Sequence, residues 1–435
     1  MLKDSFCSSP WFHLRITHNG DFESCRWSKT INGDSNISST TVMQYYNSTS
    51  MKQLRTNMLD GNAVEGCANC YYEEKFDKLS GRRRQLLKSA IDVNNFAYTT
   101  RSSPHYDKFL YSSVNDGLAN HYPTDLQIDL GNICNSACIM CGPSSSSLLT
   151  QDYKKLFKIN PVQFSDPTTY NSWTRDPVIL DRVVNEIASI PNLKYIHFLG
   201  GETLYDPAFY TICERLITAG VAKNIIVGTT TNGTLYDERI EYLIKQFKEF
   251  HLGISIESVT SLNDYIRYPG KIDSIKNNIE RFLELRNDSK LYISLRITPN
   301  VFTISEIDLV FEYMIKNNVI AESCNILHSP RWLRIELLPE DIKLDTIAKL
   351  QNLIDRYGLE KHNTTNIRRS DLIPSVIADT VIDYYTLLQN YNPLPDAAEL
   401  GTQLVSFLKG FETLRKNTIL DYAPRYTDFL RHNGY

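Results

Sequence analysis

The chain has 435 residues, of which 42% are hydrophobic and 22% are charged, and its formal net charge is −4. This length exceeds that of one ordinary compact domain, so we expect two or three units with the composition of a globular protein. The small negative net charge excludes the global basic field that favours nucleic acid, so we expect no nucleic-acid partner.

The first residues, MLKDSFCSSPWFHLRI, lack the apolar region of an export signal. No stretch approaches the roughly 18 apolar residues that indicate a membrane span. We therefore expect a cytoplasmic protein with no membrane partner. Nine cysteines in such a chain indicate metal or redox chemistry and not disulfides.

Residues 1–120 are irregular, rich in Ser, Asn, Thr and Tyr, and carry four of the nine cysteines. One dense basic run, at 82–84, suits either a phosphate or acidic peptide, or a solvated helix face. We treat this part of the chain as a first unit.

From about residue 122, short β-branched runs alternate with helical patterns. Strands are predicted at 124–130, 194–200, 224–230, 252–258, 291–298 and 323–329. Helices are predicted at 179–190, 207–219, 235–249, 273–287 and 304–317. Six such units predict parallel strands joined by right-handed crossovers, in an open doubly wound sheet or a partial (β/α) barrel. Either arrangement collects ligands at the carboxyl ends of the strands.

Two further segments complete the chain. The insertion at 150–178 is aromatic and polar, which suits a lid or an ordinary surface excursion. After residue 338, apolar residues recur at i, i+3 and i+4, which predicts helices to the end. We therefore divide the chain into residues 1–120, 121–335 and 336–435.

Three cysteines, Cys134, Cys138 and Cys141, follow the first predicted strand in the run GNICNSACIMCG. Three thiolates are one fewer than a cubane [4Fe–4S] cluster takes, so one iron is left to bind a small molecule. The alternatives are a structural zinc site, for which no nearby His supplies the fourth ligand, or buried structural thiols.

The run CNSACIMC resembles the CxxxCxxC signature of the radical S-adenosylmethionine (SAM) enzymes. Further motifs of that family have similar counterparts at successive strand ends: GGE at 200–202, TNG at 231–233 and SIES at 255–258. The resemblance covers residues from about 122 to 330. It implies an α/β fold with a partial (β/α)6 TIM-type barrel.

The resemblance also implies a [4Fe–4S] cluster on the three cysteines, with SAM bound at its open iron. The residues implied to contact SAM are Met140, Gly200, Gly201, Glu202, Thr203, Asn232, Ser255, Glu257, Arg267 and Arg296. For Arg267 and Arg296 a structural ion pair is the alternative. One electron, from a donor such as flavodoxin or ferredoxin, would cleave SAM to a 5′-deoxyadenosyl radical that abstracts hydrogen from a substrate.

A second set of cysteines comprises Cys7, Cys25, Cys67 and Cys70, the last two as a CxxC pair. Four thiolates suit a fully ligated metal site. The surrounding sequence resembles the SPASM/twitch auxiliary modules of radical SAM enzymes, in a subgroup where the module precedes the barrel. This resemblance implies a second [4Fe–4S] cluster, and a zinc ribbon is the alternative.

Two cysteines remain. Cys213 lies on the apolar face of a predicted helix, which predicts core packing. Cys324 shares one face of the last predicted strand with His328. Cys324 could donate hydrogen to a substrate radical, and His328 could bind substrate. Core packing of Cys324 is the alternative.

The auxiliary module favours a peptide or protein substrate, since such modules accompany crosslinking, epimerisation or dehydrogenation of peptides in related families. A small metabolite, sugar or nucleoside is the second hypothesis for the substrate. A metal-stapled binding protein without catalytic activity is the third hypothesis for the function.

Overall fold

A computed structural model of the chain describes residues 5–25, 35–74, 80–91, 101–167, 170–321, 324–362 and 373–435. The strands in these ranges are β1 (His13–Ile16), β2 (Phe22–Glu23), β3 (Asp125–Asp129), β4 (Tyr195–Leu199), β5 (Ile226–Thr231), β6 (Glu249–Ser255), β7 (Leu291–Arg296) and β8 (Ile320–Ala321). They form one sheet in the order β2-β1-β3-β4-β5-β6-β7-β8. Neighbouring strands are parallel except for β1 and β2, which are antiparallel.

Helices connect the strands and continue after the sheet. Those of the N-terminal part are α1 (Val42–Tyr46), α2 (Thr49–Asp60), α3 (Ala68–Glu74), α4 (Gly81–Lys88) and α5 (Tyr106–Val114). Those between the strands are α6 (Ser147–Ile159), α7 (Pro177–Ser189), α8 (Pro207–Thr218), α9 (Glu238–Gln246), α10 (Leu262–Ile266), α11 (Ile272–Asn287) and α12 (Ile307–Asn317). The last are α13 (Glu340–Tyr357), α14 (Ile373–Asn390), α15 (Ala397–Arg415) and α16 (Thr427–His432). The predicted parallel sheet and helical C-terminal region are confirmed, and the partial barrel stays a prediction.

The two faces of the sheet differ because successive strand residues point to opposite sides. On one face apolar residues such as Ile128, Phe198 and Leu252 are buried in the core. On the other face the register aligns a row across five strands, formed by Gln127, His197, Gly228, His251 and Tyr292. The sheet therefore carries its apolar core on one side and a polar row on the other.

The N-terminal segment belongs to this sheet. Strand β1 pairs in parallel with β3, from His13 opposite Asp125 to Ile16 opposite Ile128. Across this junction the Arg15 guanidinium forms an ion pair with Asp129. Strand β1 thus lies beside β3 in the sheet, although the two strands are far apart in the sequence. The division at residue 120 stays a prediction.

The prediction of a strand at 323–329 is wrong. Strand β8 ends at Ala321, and residues 324–329 lie outside the strands. The Asn325 side chain donates to the Ile297 carbonyl at 3.0 Å, and the Tyr384 hydroxyl donates to the Asn325 carbonyl at 2.8 Å. Side-chain bonds thus hold this segment outside the sheet, so Cys324 and His328 share no strand face.

The first part of the insertion at 150–178 lies in helix α6. Whether the insertion is a lid or an ordinary surface excursion stays a prediction. None of the helices in the described ranges combines the length and the apolar character that crossing a bilayer requires.

Candidate active site

The three cysteines Cys134, Cys138 and Cys141 lie in the loop that follows β3, hereafter the cysteine loop (residues 130–146). Cys138 is buried, and the other two are half-buried. The Ser136 amide donates to Cys134 Sγ at 3.4 Å. An amide that donates to a cysteine sulfur would orient that sulfur and tune its donor strength if it bound a metal.

Two backbone hydrogen bonds hold the cysteine loop against the segment that follows α10. The Ala137 amide donates to the Tyr268 carbonyl at 2.6 Å, and the Ile139 amide donates to the Ile266 carbonyl at 3.0 Å. These bonds lie on either side of Cys138. The position of its sulfur therefore depends on the segment at 266–268.

The turn after β4 docks on the same loop. The Gly201 amide donates to the Gly131 carbonyl at 2.8 Å, and the Glu202 amide donates to the Ile133 carbonyl at 2.8 Å. A Cβ atom on Gly201 would lie 2.3 Å from the Ile133 carbonyl oxygen. Gly201 is thus needed for the close approach of two backbones, next to Cys134.

The Glu202 carboxylate is fully buried and accepts three hydrogen bonds. Its Oε1 accepts from Thr231 Oγ1 at 2.6 Å and from the Leu204 amide at 3.0 Å, and its Oε2 accepts from the Asn232 amide. Burial raises the pKa of Glu202 to about 7, although these donors oppose the shift. A carboxylate offers roughly four acceptor positions, so one remains for a further donor such as an ammonium.

Asn232 connects the turn after β5 to the cysteine loop. Its Nδ2 donates to Asn135 Oδ1 at 2.7 Å and to Ser136 Oγ at 2.9 Å. Asn135 Nδ2 in turn donates to Thr234 Oγ1 at 2.9 Å. Motifs from three strand ends therefore meet through direct hydrogen bonds.

Glu257 and Arg267 form a buried ion pair beside Cys138. The Thr298 amide donates to Glu257 Oε2 at 2.8 Å, and Arg267 Nη1 lies 3.8 Å from Cys138 Sγ. Burial raises the pKa of Glu257 to about 7, and Arg267 opposes this shift. Burial acts to lower the pKa of Arg267, but Glu257 and Cys138 outweigh it and raise that pKa.

The other residues predicted to contact SAM lie near this edge of the sheet. Ser255 ends β6 and is the register partner of Arg296 at the end of β7. A Cβ on Gly253 would lie 2.5 Å from Arg296 Nε, so this glycine makes room for the arginine. Met140 is half-buried against the core, and Thr203 is buried.

The other two residues predicted to be catalytic, Cys324 and His328, lie in the segment that follows β8. Cys324 is half-buried. Burial of the Tyr384 hydroxyl, and then the nearby Cys324 thiol, raise the pKa of Tyr384 well above its ordinary value. His328 is exposed. Their catalytic roles stay predictions. Cys213 is fully buried in α8, where its apolar helix face placed it.

Arg415, at the end of α15, is a site residue that sequence reasoning missed. Its Nη2 donates to the Ala137 carbonyl at 2.6 Å, although the two residues are 278 positions apart. The surrounding sequence shows only the apolar spacing of a helix, and no local signal indicates this contact.

The second set of cysteines also comes together. Cys7 and Cys70 are buried, while Cys25 and Cys67 are half-buried. Burial raises the pKa of Cys7 well above its ordinary value, and the other three thiols raise it further. Burial, followed by Cys25 and Cys70, raises the pKa of Cys67 to about 12. The four thiols therefore lie close enough to act on one another.

A buried arginine stands beside this set. Arg82 forms an ion pair with Glu74 and donates from Nη1 to the Phe6 carbonyl at 2.9 Å. The prediction that the run at 82–84 is either a ligand surface or a solvated face is therefore wrong for Arg82, which faces inward. The cause is the carboxylate of Glu74, which offsets the loss of hydration of the guanidinium.

Within the part of the chain that the structure describes, no group of three or more His, Cys, Asp or Glu side chains is placed to hold a metal ion. This holds for both sets of cysteines. A cubane distributes its cysteines over different irons, so their sulfurs stand farther apart than those around one ion. The second cluster stays a prediction.

Comparison with known proteins gives the class of the central domain. Residues 128–311 match the family model of the radical SAM superfamily. The chain therefore contains a radical SAM domain, and the protein is an enzyme whose subclass is open. This domain implies SAM and a [4Fe–4S] cluster. The three cysteines and the open acceptor position of Glu202 fit these two groups. No curated protein shows significant sequence similarity to the chain.

The matches to solved structures are of low identity. A structure of anSMEcpe with bound AdoMet has a TM-score of 0.37 and 18% identity, and the match covers 54% of this chain and 61% of that chain. Streptococcus suis SuiB bound to S-adenosylmethionine has a TM-score of 0.33 and 13% identity, covering 82% and 69%. TYW1 with a lysine-pyruvate adduct has a TM-score of 0.28 and 18% identity, covering 51% and 70%. The match thus spans about three-fifths of the anSMEcpe chain.

Proposed function

We propose that the protein holds a [4Fe–4S] cluster on Cys134, Cys138 and Cys141 and uses it to cleave SAM reductively. The observation that carries this proposal is the direct bonding of the cysteine loop to the turns after β4 and β5, at the carboxyl edge of a parallel sheet. When bound, the cluster and SAM supply electron transfer and hydrogen abstraction from a substrate. The chain supplies ligation, orientation and a site that excludes water.

Each residue at this edge has a proposed task. The free acceptor position of Glu202 binds the SAM ammonium, because a buried carboxylate favours a cation. Ser255 and Arg296, register partners on neighbouring strands, bind the SAM carboxylate. Glu257 and Arg267 hold the segment beside Cys138. Gly200 and Gly201 keep the turn after β4 on the cysteine loop.

Three further residues at this edge complete the proposed SAM site. Asn232 ties the turn after β5 to the cysteine loop through its bonds to Asn135 and Ser136. Met140 and Thr203 contact SAM from the two segments that approach it, the cysteine loop and the turn after β4. For these two residues the support is their place in those segments.

The same proposal assigns a second [4Fe–4S] cluster to Cys7, Cys25, Cys67 and Cys70. The mutual influence of the four thiols supports it, as does the buried cation of Arg82 beside them. Four cysteines leave no open iron, so this cluster shapes the site or relays electrons. The substrate that we propose is a peptide or protein, on the resemblance of residues 1–120 to auxiliary modules.

Anaerobic iron and sulfide quantitation tests both clusters. We expect about eight irons per chain in the natural protein and about four when Cys134, Cys138 and Cys141 are all replaced by alanine. Cys213→Ala is the matched control, because this buried cysteine belongs to neither set, and it should keep all the iron. Zinc in place of iron at either set would contradict the assignment for that set.

A second experiment tests the reaction. The reduced protein should release 5′-deoxyadenosine from SAM, and Cys138→Ala should abolish this release. Cell extract is then divided by size, and each fraction is tested for stimulation of the release. Stimulation by the peptide fraction alone is expected, whereas stimulation by the small-metabolite fraction alone would contradict the substrate proposal.

A further inference from the structure

Arg415 brings a buried charge from the C-terminal helices to the cysteine loop. Its side chain is 3% exposed, and its Nη2 donates to the Ala137 carbonyl at 2.6 Å. Its Cζ lies 4.6 Å from the ring centroid of Tyr268 and 4.4 Å from that of Phe411. The guanidinium is thus enclosed by two aromatic rings and the backbone that precedes Cys138.

This guanidinium has more donors than partners. Its Nε and Nη1 are buried and have no hydrogen-bond partner among the described residues. Asp152 forms an ion pair with Nη2 at 3.4 Å, but it does not reach Nε or Nη1. A buried charge is unfavourable unless an opposite charge and hydrogen bonds compensate it. The unsatisfied donors therefore indicate that an anionic group belongs near Arg415.

Arg415 bonds to the backbone beside the proposed ligand Cys138. Ala137, which accepts the bond from Arg415, precedes Cys138 directly, and Arg267 Nη1 approaches Cys138 Sγ to 3.8 Å. Two guanidiniums therefore contact the segment 137–138, one at the Ala137 carbonyl and one at the Cys138 sulfur.

A second residue of α15 bonds the end of that helix to α10 and to the C-terminal segment. Glu412, one helical turn earlier, accepts from the Tyr265 hydroxyl at 3.2 Å, the Ile419 amide at 2.7 Å and the Tyr435 hydroxyl at 2.8 Å. Tyr265 lies on α10, which leads directly to Arg267. The end of α15 therefore bonds to the cysteine loop through Arg415 and to α10, which precedes Arg267, through Glu412.

We infer that Arg415 is a positioning residue that holds the cysteine loop and stabilises the reduced form of the cluster bound by Cys138. This inference rests on the proposed function, because it requires that cluster. An external donor of the flavodoxin or ferredoxin class supplies one electron, which adds negative charge to the cluster. A fixed cation nearby favours the electron-rich form and raises the reduction potential. No bond forms or breaks at Arg415, and no proton moves.

The test compares Arg415→Gln, which removes the charge, with Arg415→Lys, which keeps it. Arg425→Gln is the matched control, because Arg425 forms an ion pair with Asp345 at the surface of the same region. The readouts are iron content and the midpoint potential of the SAM-free cluster, from a redox titration followed by electron paramagnetic resonance. At a fixed potential, Arg415→Gln should lower the ratio of reduced to oxidised cluster at least tenfold, which is 59 mV for one electron.

Arg415→Lys should keep this ratio within threefold of the natural protein, and Arg425→Gln should not change it. A fully loaded Arg415→Gln variant with the natural potential would overturn the inference, as would equal shifts in the Gln and Lys variants. If Arg415→Gln loses its iron, Asp152→Asn carries the test. Removal of this anion should raise the potential, and an unchanged value would overturn the inference. Failure of the natural protein to bind iron at the cysteine loop would instead refute the proposed function.

Discussion

The contact between the turn after β4 and the cysteine loop leaves no space for a side chain at Gly201. Gly201→Ala would place Cβ 2.3 Å from the Ile133 carbonyl oxygen, whereas an ordinary contact begins at 3.4 Å. The two backbones must therefore separate by about 1 Å. That separation breaks the bonds of the Gly201 and Glu202 amides, each 2.8 Å long, to the cysteine loop.

Two lost hydrogen bonds correspond to about 1–3 kcal/mol of unfolding free energy. Because Ile133 precedes Cys134, the displacement also moves a proposed cluster ligand. We expect Gly201→Ala to lower the urea midpoint, the iron content at the cysteine loop and the affinity for SAM. Anaerobic urea unfolding, iron quantitation and calorimetric titration with SAM measure these three quantities.

Gly142→Ala is the matched control in the same loop. A Cβ at Gly142 meets only Ser144 Oγ, at 3.8 Å, so all three quantities should stay within error of the natural protein. The reasoning is refuted if Gly201→Ala keeps its iron, stability and SAM affinity, or if the two variants behave alike.

Two further predictions concern buried charges. Burial raises the pKa of Glu202 from 4.5 in the unfolded chain to about 7 in the folded protein. Protonation of Glu202 therefore stabilises the folded protein fully at a pH below the unfolded-state pKa. This stabilisation is lost as the pH rises through about 7. The loss is on the order of 3 kcal/mol. Glu202→Gln cannot titrate at this position. Between about pH 5 and about pH 8, the unfolding free energy of the natural protein should therefore fall relative to that of the variant. Parallel pH profiles of urea unfolding for the two proteins would contradict this prediction. Arg82→Gln removes the cation that donates to Glu74 and leaves Arg83, whose Nε lies 3.8 Å from Glu74 Oε2. It should lower the unfolding free energy by about 3 kcal/mol and deplete metal from the N-terminal cysteines. The exposed Arg84→Gln should change stability by less than about 0.5 kcal/mol, and equal effects of the two variants would argue against the role of the buried pair.

The sequence predicts those parts of the fold that local patterns determine. Strands β3, β4, β5 and β7 lie within a few residues of their predicted bounds, because each is a short β-branched run followed by a turn. Strand β6 begins three residues earlier than predicted, at Glu249. The last strand is misplaced because the side-chain bonds of Asn325 and Tyr384 hold that segment outside the sheet.

Contacts that span long stretches of chain leave no local pattern. The strand HLRI at 13–16 has four residues in an irregular region, and its pairing with β2 and β3 makes it a strand. Arg415 meets Ala137 across 278 positions for a similar reason. Arg82 faces inward because it forms an ion pair with the half-buried Glu74. A basic run by itself does not indicate such a partner.

The pairing of β1 with β3 has a consequence for how the protein unfolds. A chain that begins at residue 121 would expose the free edge of β3 and leave the buried Asp129 without the cation of Arg15. A bare strand edge is a template for pairing with other chains, so such a truncated protein should aggregate. Because β1 and β3 are paired strands of one sheet, we expect the N-terminal strand and the rest of the sheet to unfold together, in a single heat-absorption peak in a calorimeter.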